Sequence, residues 1–147
     1  MSADVGTLLV VDDNENNLDL LCRRLQRKGY STTTAAGGQQ ALELVNTQSF
    51  DLILLDVMMP GIDGLTVLTT VRQTYSASEL PIIMVTAKTE STDVVTALEL
   101  GANDYVMKPI DFPIALARVR TQLSRKRAET ALRESEERYA LAMNGAN

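Results

Sequence analysis

Residues 52–64 read LILLDVMMPGIDG. Leu52–Leu55 is apolar at every position and too short for a helix, the pattern of a strand covered on both faces. The run stops at a carboxylate, Asp56. Pro60-Gly61 and Asp63-Gly64 then supply turn chemistry before a helical pattern resumes. Two further runs have the same form. Thr7–Val11 (TLLVV) stops at Asp12 and Asp13, and Ile82–Val85 (IIMV) runs into Thr86. A Thr-rich Ser31–Ala35 and a short Asp104–Met107, which runs into Lys108-Pro109, complete five predicted strands.

Helical spacing fills the intervals. Asn16–Lys28 places Leu18, Leu21, Cys22 and Leu25 on one face, with Gly29 as its stop. Gln39–Thr47 aligns Ala41, Leu42 and Val45, and Gly64–Tyr75 aligns Leu65, Leu68 and Val71. Ser91–Leu100 is closed by Gly101, and a last helix starts near Phe112. Strand and helix thus alternate five times with short connections. That predicts an α/β fold, a doubly wound parallel sheet with helices on both faces. Ligands in such folds sit beyond the carboxyl ends of the strands. Asp12, Asp13, Asp56, Thr86 and Lys108 end four separate strands and therefore meet at one edge. Any one of these aspartates alone reads better as a turn or helix cap.

The chemistry available is narrow. The 147 residues contain no histidine and one cysteine, Cys22. Histidine-based acid/base chemistry, a phosphohistidine on this chain and an internal disulfide are all excluded. Cys22 lies among apolar helix positions and reads as buried filler. Three converging carboxylates repel, by about 4 kcal/mol for two unit charges roughly 4 Å apart at an effective dielectric near 20. Protonation, Lys108 or a divalent cation has to offset that. All-oxygen ligands suit magnesium, and the absence of histidine disfavours zinc. With Mg2+ and a lysine present, a carboxylate can act as nucleophile and form an aspartyl phosphate. Asp56, alone at its strand end, is the candidate. A plain Mg2+ site without covalent chemistry is the rival.

VVDDN at 10–14, LLDVMMPGIDG at 54–64, VTA at 85–87 and DYVMKPI at 104–110 resemble the response-regulator receiver family. The likeness spans about residues 7–124, in register throughout. It implies a flavodoxin-like five-stranded sheet in the order 2-1-3-4-5 with five helices, the last extended. Asp56 matches the phosphorylated aspartate, Asp13 a direct Mg2+ ligand and Asp12 one acting mainly through water. Met58 matches a position that gives its backbone carbonyl to the metal. Thr86 matches the switch hydroxyl, Lys108 the phosphate-contacting lysine, and Tyr105 the aromatic switch residue. Pro109 matches a proline usually preceded by a cis peptide, here Lys108–Pro109. Met58 and Lys88 occupy positions that tune phosphoryl lifetime in the family. The bland readings are an amphipathic edge residue for Tyr105 and a solvated loop charge for Lys88.

The family implies a regulatory phosphoacceptor rather than a metabolic enzyme, phosphorylated by a histidine kinase or phosphotransfer protein and working through a two-state switch. The output surface would be the Ser91–Leu100 helix, the Tyr105 strand and the last helix. A phosphatase with an aspartate nucleophile generally wants a second carboxylate two residues on, where Met58 stands. A binding module that signals without phosphate is a third reading.

The ends of the chain carry separate expectations. Residues 118–138 hold seven Lys/Arg and four Glu, a net +3, and the remainder nets −8. An acidic globule is a poor nucleic-acid binder, so direct nucleic-acid contact is not expected. The basic segment reads as a solvated helix face or as a phosphate contact. No run approaches the ~18 apolar residues of a membrane span, and Met1 to Gly6 lack a secretory pattern, which makes a cytoplasmic location the expectation. Residues 1–124 form the expected receiver domain and 125–147 a helical linker. Ala128, Leu132, Ser135, Tyr139 and Ala142 follow coiled-coil spacing, which predicts a homodimer through this helix, with a solvent-exposed tail as the alternative. LRESEERYALAMNGAN resembles the opening segment of a PAS sensor domain. The expected whole is a longer regulator whose output is a PAS domain leading to cyclic-di-GMP synthesis or hydrolysis domains, or to a histidine kinase.

Overall fold

The computed structural model describes residues 5–87 and 91–145; Lys88 lies outside them. Ten elements alternate: β1 (Thr7–Val11), α1 (Glu15–Arg27), β2 (Ser31–Ala35), α2 (Gly38–Thr47), β3 (Leu52–Asp56), α3 (Gly64–Arg72), β4 (Ile82–Ala87), α4 (Ser91–Glu99), β5 (Asp104–Lys108) and α5 (Phe112–Gly145). The strands form one parallel sheet in the order β2-β1-β3-β4-β5. This is the flavodoxin-like arrangement, with α5 extended.

Strand alternation divides the core into two layers. Leu9, Val11, Ile53, Leu55, Ile82 and Met84 point to the face covered by α2, α3 and α4. Leu8, Val10, Leu52, Leu54, Ile83 and Val85 point to the face covered by α1 and α5. Because the three central strands are covered twice, they read as continuous apolar runs. Cys22 is buried on α1, and burial pushes its thiol pKa up, so it packs as a small hydrophobe.

Helix α3 stops three residues before the predicted Tyr75. The Arg72 side chain explains the stop. Its Nε donates to the Gly101 carbonyl at 2.8 Å, and its Nη1 to the carbonyls of Leu80 at 2.9 Å, Ser76 at 3.2 Å and Tyr75 at 3.3 Å. Its Nη2 reaches Asn103 Oδ1 at 2.9 Å, an oxygen that also accepts from the Ile82 backbone N–H. Among the described residues no carboxylate pairs with this guanidinium. Burial lowers its pKa to about 10, which leaves it charged at neutral pH. Arg72 therefore folds the 73–80 connection back on α3 and ties it to the α4–β5 turn. Replacing Arg72 with Met keeps bulk and strands these carbonyls, so a loss of about 2–4 kcal/mol is expected in urea unfolding.

Ala115, Leu116, Val119 and Leu123 seat α5 on the sheet. Past Leu123, Lys126 Nζ approaches Asp51 Oδ1 at 3.4 Å, and Arg127 donates to the Val5 carbonyl. Beyond that point the helix projects without cover. Leu132 is 60% exposed and Tyr139 68%, and the predicted seam faces solvent. The side chain of Ala142, its last member, lies outside the described residues. At ~1.5 Å per residue the 34 residues of α5 extend about 51 Å. Among the described residues no helix is long and apolar enough to cross a membrane.

Candidate functional site

Parallel strands of similar length bring their carboxyl ends to one edge, and the polar residues there follow. Asp12 lies just past β1, Asp56 ends β3, Thr86 is the penultimate residue of β4, and Lys108 ends β5. Asp12, Asp56 and Thr86 are buried, at 6%, 2% and 1% exposure, while Asp13 faces solvent. One carboxylate oxygen from each of Asp12, Asp13 and Asp56 lies within 4.8 Å of the others, close enough to hold a divalent cation. Lys108 Nζ stands 2.9 Å from Asp56 Oδ2 and 3.6 Å from Asp12 Oδ2.

Backbone donors fix the other carboxylate oxygens. The Asn14 N–H donates to Asp12 Oδ1 at 2.9 Å. Asn14 is also the N-cap of α1, its side chain accepting from the Asn17 N–H at 3.1 Å. Its place two residues after Asp12, at the head of a helical pattern, is a capping signature that sequence reasoning left unused. The Met58 N–H donates to Asp56 Oδ1 at 3.2 Å. Met58 thus touches the site through its backbone while its side chain is 60% exposed.

Burial dominates the electrostatics. Desolvation raises the pKa of Asp56, and Asp12 raises it further, against the hydrogen bond and charge of Lys108. For Lys108 burial acts to lower the pKa, but the hydrogen bond and charges of Asp56 and Asp12 outweigh it and the net direction is upward. The pair is best described as a firmly charged lysine beside a carboxylate that is reluctant to ionise. One cation cannot neutralise three carboxylates. A hard divalent ion on the same oxygens would complete the balance, and the donor set fits magnesium.

The remaining predicted residues among those described lie on β4, on β5 and just after it. The Thr86 hydroxyl donates to the Ala87 carbonyl at 3.5 Å, a long bond that is easily exchanged. Tyr105 packs half-buried on the α2–α3–α4 face, with the Arg118 guanidinium 5.8 Å from its ring centroid. The Lys108–Pro109 peptide is cis. Sequence reasoning missed Arg118 and understated Gly64. A Cβ built on Gly64 would lie 2.2 Å from the Asp56 carbonyl oxygen, so α3 starts in direct backbone contact with the end of β3.

Comparison with known proteins agrees with this geometry. A family model described as "Response regulator receiver domain" matches residues 8–120. The alkaline phosphatase synthesis transcriptional regulatory protein PhoP of Bacillus subtilis is 45% identical over 129 residues, 88% of this chain and 52% of that protein. The DNA-binding response regulator MtrA of Mycolicibacterium smegmatis is 44% identical over 124 residues, 84% of this chain and 53% of that protein. A crystal structure of NtrX from Brucella abortus in complex with ADP superimposes with a TM-score of 0.84 at 25% identity, over 95% of this chain and 30% of that one. The chain spans about half the length of the curated relatives it matches.

Proposed function

The chain belongs to the response regulator receiver family, and from that premise we propose that Asp56 accepts a phosphoryl group from a histidine kinase or phosphotransfer protein and thereby switches an attached output domain. The observation that carries this is the 2.9 Å approach of Lys108 Nζ to Asp56 Oδ2 within a three-carboxylate cluster. Among the described residues Asp56 is the least exposed of the three carboxylates and has Lys108 as its one cationic partner, as a nucleophile protected from competing ligands needs. An Asp56 oxygen forms the new O–P bond as the P–N bond of a phosphohistidine breaks and the imidazole leaves. Asp12, Asp13, Asp56 and the Met58 carbonyl would hold Mg2+, which when bound would supply charge to neutralise the phosphoryl oxygens. Lys108 is placed to transfer its hydrogen bond from Asp56 to a phosphoryl oxygen. Thr86 exchanges its long bond to Ala87 for a second phosphoryl oxygen. Tyr105 follows Thr86, and the change reaches α4, β5 and α5. The role is regulatory, not that of a metabolic enzyme; Met58 stands where a phosphatase would need its second carboxylate.

Residues 1–124 serve as the receiver and 125–147 as a helical linker. The exposure of Leu132 and Tyr139 on a continuous helix supports pairing with a second copy through this segment. A PAS-type or cyclic-di-GMP output, or a kinase, in cis fits the terminal sequence. A DNA-binding output is the second reading, favoured by the names of the curated relatives.

Incubation with beryllofluoride or a small phosphodonor and Mg2+ tests the proposal. One adduct per chain, lost on replacing Asp56, is expected. Sustained turnover of the donor would make it a phosphatase, and no adduct would leave a binding module. A monomer with and without the phosphodonor would sink the coiled-coil reading.

A further inference from the structure

Strand β5 is an edge of the sheet, and its successive side chains point to opposite faces. Val106 belongs to the layer under α1 and α5, while Tyr105 packs with the layer under α2, α3 and α4. Arg118 belongs to α5, yet its guanidinium reaches around this edge and lies 5.8 Å from the Tyr105 ring centroid. Asp104 anchors it there. Asp104 Oδ2 accepts from Arg118 Nη1 at 3.3 Å, and Asp104 Oδ1 accepts from the Tyr105 backbone N–H at 2.8 Å. One carboxylate thus holds both the backbone of Tyr105 and the cation that covers its ring. The arrangement has a cost. Among the described residues Arg118 Nε, a buried atom, has no hydrogen-bond partner, an unmet donor of a kind folded proteins rarely keep.

We propose that Arg118, anchored by Asp104, is a positioning residue that holds Tyr105 in its present place and so opposes the phosphorylation switch. The inference rests on the reading of Asp56 as phosphoacceptor and Thr86 and Tyr105 as switch residues. Tyr105 lies opposite Met84 on the neighbouring strand, and Thr86 is two residues beyond Met84 on the same face. When Thr86 turns toward a phosphoryl group it vacates space on that face, and the ring moves toward Thr86 only by leaving the guanidinium. Arg118 therefore interacts differently with the two states, which is the requirement for biasing them. A cation over an aromatic ring at a part-exposed edge biases such an equilibrium by about two- to fivefold. Arg118 sets the resting threshold of the switch, and any partner that draws Arg118 or Asp104 away lowers it.

The test uses the full 147-residue chain with Mg2+ and beryllofluoride as probe. Arg118→Gln removes the cation, and Asp104→Asn loosens its anchor while keeping an acceptor for the Tyr105 N–H. Both are expected to raise beryllofluoride affinity by about two- to fivefold. In the unliganded protein both are expected to move the Tyr105 ring resonance, assigned with Tyr105→Phe, toward its beryllofluoride-bound position. The two substitutions change net charge in opposite directions. A simple field effect would weaken anion binding in Arg118→Gln and strengthen it in Asp104→Asn. A folded Arg118→Gln protein with equal or weaker affinity and an unmoved Tyr105 resonance overturns the proposal. If Arg118→Gln does not fold, an unmoved resonance in Asp104→Asn overturns it. A wild-type chain that forms no Asp56-dependent adduct removes the phosphoacceptor reading, and the latch falls with it.

Discussion

Replacing Asp56 with Asn is expected to abolish the phosphoryl or beryllofluoride adduct and, in the absence of metal, to make the domain more stable at pH 7. The loss follows because no other carboxylate among the described residues has both the burial of Asp56 and a lysine at 2.9 Å. The gain follows from electrostatics. Burial raises the Asp56 pKa above its ordinary 3.8, so the fold binds the proton more tightly than the unfolded chain does. The stabilising contribution of that protonated carboxyl is fully present at low pH. It is lost as pH rises from about 3.8 through the raised value, and at neutral pH the ionised group is a burden. Lys108 works in the other sense. Its raised pKa contributes stability throughout the neutral range, which is lost only as pH climbs through the folded value above 10.5. With Asn at position 56, Lys108 keeps Asp12 as a partner, and repulsion among three carboxylates falls to that between two. A gain of about 1–2 kcal/mol is expected, near 3–8 °C for a domain of this size. Mg2+ reverses the order. At a hundredfold excess over Kd it stabilises the wild type by ~2.7 kcal/mol, and the variant, lacking one ligand, gains less at the same concentration. Thermal melts in EDTA and in Mg2+ at pH 5 and 7.5 check both signs. A variant less stable than wild type in EDTA at pH 7.5 would show that the Lys108–Asp56 bond, not the crowding of carboxylates, dominates the site.

The sheet was legible in the sequence because its central strands are covered on both faces and leave uninterrupted apolar runs. The candidate site was legible because parallel strands collect their carboxyl ends at one edge, so Asp12, Asp56, Thr86 and Lys108 are predicted together although 52 residues separate Lys108 from Asp56, to which it hydrogen-bonds. What was missed depends on contacts between distant segments. The spacing of Leu65, Leu68 and Val71 continues naturally to Tyr75, and nothing local reveals that Arg72 will turn back to collect the carbonyls of Tyr75, Ser76 and Leu80. Arg118 reads as one more cation on a mixed-charge helix. Only the path of α5 beside the β5 edge brings it over Tyr105. Met58 was expected at the site through its backbone carbonyl; that its N–H also donates to Asp56 is a backbone contact a side-chain pattern does not record.

Gly64→Ala is expected to be far more damaging than alanine at Gly37 or Gly61, although the sequence offers Gly64 only as a turn residue. A Cβ at position 64 would lie 2.2 Å from the Asp56 carbonyl oxygen and 2.9 Å from both the Asp56 carbonyl carbon and Val57 Cα. All three are backbone atoms, so no side chain can rotate away, and either α3 or the end of β3 has to move. The Gly64 N–H also donates to the Val57 carbonyl at 2.9 Å, and the preceding Asp63 caps α3 by accepting from the Thr66 N–H at 2.8 Å. Displacing α3 breaks these bonds and loosens Val67, Leu68 and Val71 in the core. A loss of about 3–5 kcal/mol is expected, a large share of the 5–15 kcal/mol that holds a typical domain. The other two glycines calibrate the claim. Gly61 has φ +78° and open space around its would-be Cβ, so alanine there costs backbone strain alone, about 1–2 kcal/mol. Gly37 has extended backbone and nothing within 4 Å, so its alanine variant should unfold within about 0.5 kcal/mol of wild type. Urea midpoints ranked wild type near Gly37→Ala, then Gly61→Ala, then Gly64→Ala would establish close approach as the reason for glycine at position 64. If Gly64→Ala and Gly61→Ala prove equally stable, α3 can slide off the end of β3 at little cost. Asp56 would then not be held by its own backbone, and the geometry of the acidic cluster would have to be maintained by Lys108 and a bound cation instead.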